Sequence, residues 1–423
     1  MNLAFLPDLS ALAILILILA VVRRRHSDAR ADAWLLGLSF TLIESVAHTF
    51  YAPQGVPNKA LHLIVLDCYL LAGLVFNWAA GDQRESQGTR LLSLSLNGVS
   101  LLTLATIYGL NVRVTKAYIP AVVVGMAVGV VSSLVLRSSW RSALLYFAGW
   151  SVAGALVLRG EFRPAVYWSL ACVYAIAAIN FYRRLEGRSA GRLAVVLGFT
   201  IWAMCFALHP WIVERTAYAD IASHIWNMQK SLISIGMILV MLEEQVSNNE
   251  WLALHDELTG LPNRRLFAAR LTNAIQYSDR RNSSLALVVL DLNDFKRIND
   301  TLGHPVGDMV LREVSLALRR NIRGSDTVAR LGGDEFIIAA TDMPNELAVE
   351  RFTDSLRAAI ERPIMVNDMP MVVSASFGFA MYPDDAKDAT KLLRLADQRM
   401  YGLKRRPVYA AQIEAPAKIV AQA

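Results

Sequence analysis

Leu331-Gly332-Gly333-Asp334-Glu335-Phe336 is the stretch that decides how the C-terminal part of this 423-residue chain is read. Two glycines lead directly into two carboxylates, between the apolar-rich runs Thr327–Leu331 and Phe336–Ala340. Gly-Gly between strand-like runs predicts a tight hairpin, because glycine takes positive φ there without steric cost. With no Cβ at the turn, a phosphate can approach the backbone N–H groups closely. Asp334 and Glu335 then stand where a divalent cation bridging phosphate oxygens would sit. A plain hairpin has no need of adjacent acids on its turn, since like charges repel.

Working outward, Asp291 closes the apolar run Leu285–Leu290, which puts a carboxylate at the mouth of a buried strand. There it can meet Asp334 and Glu335 across a sheet, and three converging acids call for cations, as in two-metal phosphoryl transfer. The following block is dense in polar groups: Asn293, Asp294, Lys296, Arg297, Asn299 and Asp300, then Gly303-His304 and Gly307-Asp308. Asn299 and Asp308 together can accept from and donate to a purine edge, and Lys296 can meet phosphate charge. Each alone also reads as a turn asparagine or a helix-capping aspartate. Helical patterns at Arg264–Ser278, Gly307–Arg320 and Thr390–Leu403 alternate with strands at Leu285–Leu290, the hairpin and Met371–Phe379, which predicts an α/β or α+β domain.

Five ordered motifs resemble the GGDEF family of diguanylate cyclases: His255–Arg264, Asp291–Asp308, Arg330–Phe336, Ser374–Gly378 and Ala396–Lys404. The resemblance covers about His255 to Leu403. It implies a nucleotidyl-cyclase-like domain with a mostly antiparallel central sheet flanked by helices, and a reaction joining two GTP into cyclic di-GMP with loss of two pyrophosphates. By the same resemblance, Asp291 and Asp334 bind Mg²⁺ (or Mn²⁺), helped by the backbone carbonyl of Leu292. Glu335 acts at the second metal and assists deprotonation of the attacking 3′-hydroxyl. Asn299 and Asp308 recognise guanine, while Gly332, Gly333, Lys296 and Lys404 hold phosphates. Each domain presents one GTP, so a homodimer is implied, formed through the domain and its linker. Arg323 and Asp326 lie at the spacing of the family's product-binding inhibitory site. Three departures stand out: Asn293 replaces a frequent aspartate, Arg399 replaces a small residue, and Arg405-Arg406-Pro407 replaces the usual Gly-Arg-Asn ending. Arg405 or Arg406 is left to substitute for the missing phosphate-contacting arginine.

The chain before about Leu242 is of another kind. The whole is 55% hydrophobic and only 18% charged, against about 25% charged for ordinary soluble domains. Nearly uninterrupted apolar runs predict an all-α polytopic membrane bundle over residues 1–242. Its nine spans are read near Pro7–Val22, Trp34–Ala52, Ala60–Ala80, Leu91–Leu110, Ala117–Leu136, Ala143–Leu158, Ala165–Tyr182, Leu193–Val213 and Ile221–Leu242. The first span is followed, not preceded, by Arg23-Arg24-Arg25, which favours a retained helix over a cleaved signal. The richer arginine clusters (Arg23–Arg30; Arg84 and Arg90; Arg137 and Arg141; Arg183–Arg192) fall in alternate loops. That bias puts the amino terminus outside and the C-terminal domain in the cytoplasm, and the family resemblance implies a bacterial inner membrane. The net charge of +6 sits in these loops, so membrane lipid is the expected partner and nucleic acid is not.

Lys230 near the middle of the last span costs about 2.5–3.5 kcal/mol at a bilayer centre. It either faces the bundle interior or marks an interfacial segment. Residues 243–254 predict a helical linker, 255–408 the catalytic-type domain and 409–423 a flexible tail. Glu44 and His48 share a helix face, His62 and Asp67 lie on the next span, and a ligand, proton or metal site there is one reading. His209 and His224 carry no assignment. Cys68, Cys172 and Cys205 all lie in apolar segments at spacings that suit neither a disulfide framework nor zinc. The leading expectation is a membrane diguanylate cyclase. The alternatives are a catalytically silent GTP- or cyclic di-GMP-binding receptor, or a transporter with a regulatory cyclase appended.

Overall fold

A computed structural model describes residues 6–25, 29–50, 58–81, 86–136, 139–185, 187, 189–212, 216–366 and 369–404. The chain forms two compact units, Met1–Val246 and Ser247–Ala423.

The first unit is helical: α1 (Leu6–Arg25), α2 (Ala29–Phe50), α3 (Asn58–Ala79), α4 (Gln87–Gly109), α5 (Thr115–Val135), α6 (Trp140–Leu158), α7 (Phe162–Arg184), α8 (Ala190–Ile212) and α9 (Thr216–Leu254). Among the described residues, eight helices, α1 to α8, are long and apolar enough to cross a membrane. Large apolar side chains such as Leu17, Val123, Val135 and Leu158 are exposed, as an outer face solvated by lipid would have them. Inside, Trp34, Phe76, Tyr174, Phe181, Phe199, Trp202 and Phe206 are fully buried. Tyr174 donates its hydroxyl to the Tyr69 carbonyl at 2.9 Å, which satisfies the one polar atom that its burial exposes to an apolar surround.

The ninth expected span, Ile221–Leu242, packs Ile233, Met237 and Val240 into the bundle core, and its side chains up to residue 226 lie outside the described residues. Its residues belong to α9, a single 39-residue helix that runs through the sequence expected to be a separate linker. The Lys230 question is answered by its neighbours: its ammonium lies 2.6 Å from Glu44 Oε2, both side chains being nearly inaccessible, and 2.9 Å from Ser45 Oγ. The lysine faces the bundle interior, where a carboxylate from α2 neutralises it.

The second unit contains α10 (Arg264–Arg281), β1 (Leu285–Leu292), α11 (Phe295–Leu302), α12 (His304–Arg320), β2 (Thr327–Gly332), β3 (Glu335–Thr341), α13 (Glu346–Ile360), β4 (Ile364–Val366), β5 (Met369–Met371), β6 (Ala375–Tyr382) and α14 (Ala389–Lys404). Its main sheet has the order β2-β3-β1-β6, every pairing antiparallel. All eight residues of β1 are buried, and the strand's two-residue period sends alternate side chains to two cores. Ala286, Val288 and Leu290 pack with Val310, Val314 and Leu356 from α12 and α13. Leu285, Leu287 and Val289 pack with Phe267, Leu271, Leu392 and Ala396 from α10 and α14. The α14 layer sits so close to β6 that a Cβ on Gly378 would lie 2.2 Å from the Ala396 carbonyl oxygen, so only glycine fits there.

The expected final strand Met371–Phe379 is displaced to Ala375–Tyr382, because Met371 pairs instead with Ile364 in a separate two-stranded ribbon. The helices α11 and α13 had no counterpart in the sequence reading.

Candidate active site

The hairpin forms as the Gly-Gly pair requires. Gly332 has φ +140° and Gly333 φ +56°, and an added Cβ at either would meet no atom within 4 Å, so the turn is open. Arg330 holds it from below. Its Nε and Nη2 donate to the Gly333 carbonyl at 3.0 and 2.7 Å, and its Nη1 donates to both Asp256 carboxylate oxygens at 2.9 and 3.1 Å. Asp256 in turn accepts from the backbone N–H and hydroxyl of Thr259 at 2.9 and 2.6 Å. Burial works against ionising Asp256, but the hydrogen bonds from Thr259 and Arg330 outweigh it and hold its carboxyl below the usual range. The opening motif is therefore a brace for the turn, a role the sequence reading gave to neither Asp256 nor Arg330.

Asp291 is the seventh residue of β1, 6% exposed, and stands directly opposite Glu335 in register. Strand parity puts both on the α10/α14 face of the sheet. The Leu292 N–H approaches the Asp334 carbonyl oxygen at 3.4 Å, closing β1 onto the turn. Burial raises the Glu335 pKa, and the negative charges of Asp291, Asp397 and Asp334 raise it further, opposed by Arg264. Asp397 on α14 is raised too, by burial. Asp397 is thus a fourth acid near the cluster that sequence spacing did not single out as part of it.

Asn299 on α11 and Asp308 on α12 are half-buried on consecutive helices. Gly307 is what lets Asn299 settle there: a Cβ on it would lie 1.9 Å from Asn299 Oδ1. Lys296 is exposed on the first turn of α11. The side chain of Lys404, together with Arg405, Arg406 and the tail, lies outside the described residues.

Two departures acquire reasons. Asn293 donates its amide to Ser374 Oγ at 3.0 Å and accepts from Ser376 Oγ at 2.7 Å. An ionised aspartate could not donate, so the amide suits this bridge between β1 and β6. Arg399 forks onto Asp385 at 2.8 and 2.7 Å and donates to the Phe379 carbonyl, pinning α14 to the end of β6.

At the expected inhibitory position, Arg323 is exposed but Asp326 is buried. Its carboxylate accepts from the backbone N–H of Arg323 at 3.0 Å and of Thr341 at 3.1 Å, so it already ties the turn before β2 to the end of β3. In the membrane half, Glu44 pairs with Lys230 and the His62 ring packs edge-on against Tyr108 at 5.5 Å. His209 stacks on Tyr167 at 3.8 Å, while the side chain of His224 lies outside the described residues.

The donor chemistry suits a hard divalent cation: three carboxylates at one sheet end, two of them in register and repelling. Among the described residues, no three acidic, histidine or cysteine side chains are yet drawn into a closed ligand cluster.

Residues 253–408 match the family described as "Diguanylate cyclase, GGDEF domain". The C-terminal unit carries a GGDEF domain. It is similar to the diguanylate cyclase TpbB of Pseudomonas aeruginosa, 40% identical over 154 residues, covering 36% of this chain and 35% of that one. Diguanylate cyclase DosC of Escherichia coli is 36% identical over 182 residues, covering 43% and 39%. The cyclic di-GMP phosphodiesterase NbdA of Pseudomonas aeruginosa is 32% identical over 272 residues, covering 60% of this chain and 34% of NbdA, so that likeness extends beyond the GGDEF domain. The chain spans about a third of the length of these curated relatives. A solved structure comprising only the GGDEF domain of TpbB is 38% identical, covering 36% of this chain and 90% of that one, with a TM-score of 0.35.

Proposed function

We propose that the protein is a membrane-bound diguanylate cyclase that condenses two GTP into cyclic di-GMP and two pyrophosphates. The observation that carries this reading is the register of Asp291 against Glu335 beside an open glycine turn. The neighbouring acids raise the proton affinity of Glu335, and a divalent cation at this sheet end would offset their repulsion. Asp291, Asp334, Glu335 and the Leu292 carbonyl would hold Mg²⁺ or Mn²⁺, which when bound supplies positive charge for the triphosphate. The Gly332 and Gly333 backbone approaches the phosphates, joined by Lys296 and Lys404. Asn299 and Asp308 read the guanine edge. Glu335, its proton affinity raised by its surroundings, accepts the proton of the attacking 3′-hydroxyl.

Each domain presents one GTP, so turnover requires two copies facing each other, with the membrane unit controlling that pairing through α9. The loop arginine bias supports a cytoplasmic GGDEF domain, and the family resemblance supports a bacterial inner membrane. Product binding at Arg323 would give feedback inhibition, with Asp326 contributing from its turn.

A second reading is a catalytically silent nucleotide receptor, since NbdA is named as a phosphodiesterase although it matches this chain. Full-length protein in detergent, given GTP and Mg²⁺, separates the two. The cyclase releases cyclic di-GMP and pyrophosphate at a two-to-one ratio of pyrophosphate to product. Nucleotide binding without either product would establish the receptor.

A further inference from the structure

In the membrane unit, side chains of α3, α4, α6 and α7 enclose a cavity of about 70 Å³. Its lining is mostly apolar and contains no Asp, Glu, Lys, Arg or His, which rules out recognition of an ionic ligand by charge. Three asparagines line it, and two satisfy one another: Asn180 donates to Asn77 Oδ1 at 3.1 Å, and Asn77 donates to the Gly73 and Val173 carbonyls at 2.9 and 3.0 Å.

The third differs. Asn97 is 3% exposed and spends both amide hydrogens, on the Ser93 carbonyl at 2.7 Å and on Ser132 Oγ at 3.2 Å. The Ser132 hydroxyl donates onward to the Gly129 carbonyl at 3.3 Å, which fixes the amide's orientation. Asn97 Oδ1 is then a buried acceptor with no partner among the described residues. Such an atom is destabilising until a donor reaches it. Leu145 also lines the cavity and is 56% exposed on the bundle surface, so the cavity opens sideways toward surrounding acyl chains.

We infer that this cavity is a binding site for an uncharged aliphatic amphiphile with a hydrogen-bond donor at its head, of the alkanol class. The donor meets Asn97 Oδ1 and the chain leaves past Leu145 into the lipid. The inference is independent of the cyclase reading.

Full-length protein in lipid nanodiscs is photolabelled with a diazirine-bearing octanol, and the adducts are mapped by mass spectrometry. Adducts are expected on cavity residues such as Tyr146 and Cys172, displaced by 1-octanol at about five- to tenfold lower concentration than by octyl methyl ether, which lacks the donor. Asn97→Leu should erase that difference. The alcohol–ether comparison on the unmodified protein stands even if the variant does not fold. Equal displacement by alcohol and ether would overturn the donor requirement. Adducts spread over the lipid-facing surface, or a full alcohol preference surviving in folded Asn97→Leu, would overturn the site.

Discussion

Glu44 in the membrane unit is buried and Glu335 in the GGDEF domain half-buried, and the settings of these two carboxylates differ in sign. Glu44 has an ammonium 2.6 Å away, with Ser45 completing the set. Glu335 faces Asp291 in register and feels Asp334 and Asp397 as well. A buried acid whose counter-charge is built into the chain reads as architecture. An acid whose pKa is raised by burial and by neighbouring acids reads as part of a site that an added cation completes. The comparison gives function to one cluster and structure to the other, although both consist of the same residue type.

Breaking the built-in pair is the harshest test of that contrast. Glu44→Gln should destabilise the membrane unit by about 3–5 kcal/mol, because it strands the buried lysine, while Glu44→Gln with Lys230→Met should recover most of the loss. Thermal unfolding in detergent reads both. A double variant as weak as the single one would mean that the pair does more than neutralise charge.

The brace beneath the turn comes next. Arg330→Ala should lose about 1.5–3 kcal/mol of GGDEF-domain stability, since it removes hydrogen bonds to a carboxylate and to the Gly333 carbonyl. The Asp256 carboxyl is held below its unfolded value. Its contribution is therefore present above about pH 4 and lost as pH falls through the folded-state pKa. Asp256→Asn should be less stable at neutral pH and should show a shallower loss of stability on acidification than the parent protein. Parallel acid curves for the two proteins would remove Asp256 from this account.

Smaller effects sharpen the comparison. Arg323→Ala should raise accumulated cyclic di-GMP by relieving product inhibition, measured as the product concentration that halves the initial rate; an unchanged value would exclude Arg323. Arg399→Ala should lose no more than about 1 kcal/mol, because its pair with Asp385 is largely solvated. The Asp385 carboxyl is lowered chiefly by the hydrogen bond from Arg399, so that small loss should disappear in strong acid. A loss that persists at low pH would assign the effect to packing instead.

The elements legible in the sequence were those with strong local signals. The Gly-Gly turn, the apolar run of β1 and the periodic α10, α12 and α14 emerged within a few residues of where they were expected. The helix α13 had a readable signal that went unused: Asn345 caps it by accepting from the Ala348 N–H, and Val349, Leu356 and Ile360 recur at helical spacing on the buried face. The sheet end gathering Asp291 with Glu335 was inferable because each acid terminates or begins an apolar run. What stayed hidden was long-range partnership. Lys230 and Glu44 are 186 residues apart, and no periodicity links them. Asp326 looked like a free ligand residue because its partner, the Thr341 backbone, lies on another strand. The Asn97 acceptor was equally invisible, since an orphaned oxygen is defined only by everything packed around it.

The central claim is that Asp291, Asp334 and Glu335 act as one cation-dependent set on GTP. It is tested most directly by measuring cyclic di-GMP formation from GTP and Mg²⁺ by full-length Glu335→Gln beside the parent protein. The variant should bind GTP and unfold at a similar temperature, yet form product at least about a hundred-fold more slowly. Turnover at the parental rate in a folded variant would contradict the account.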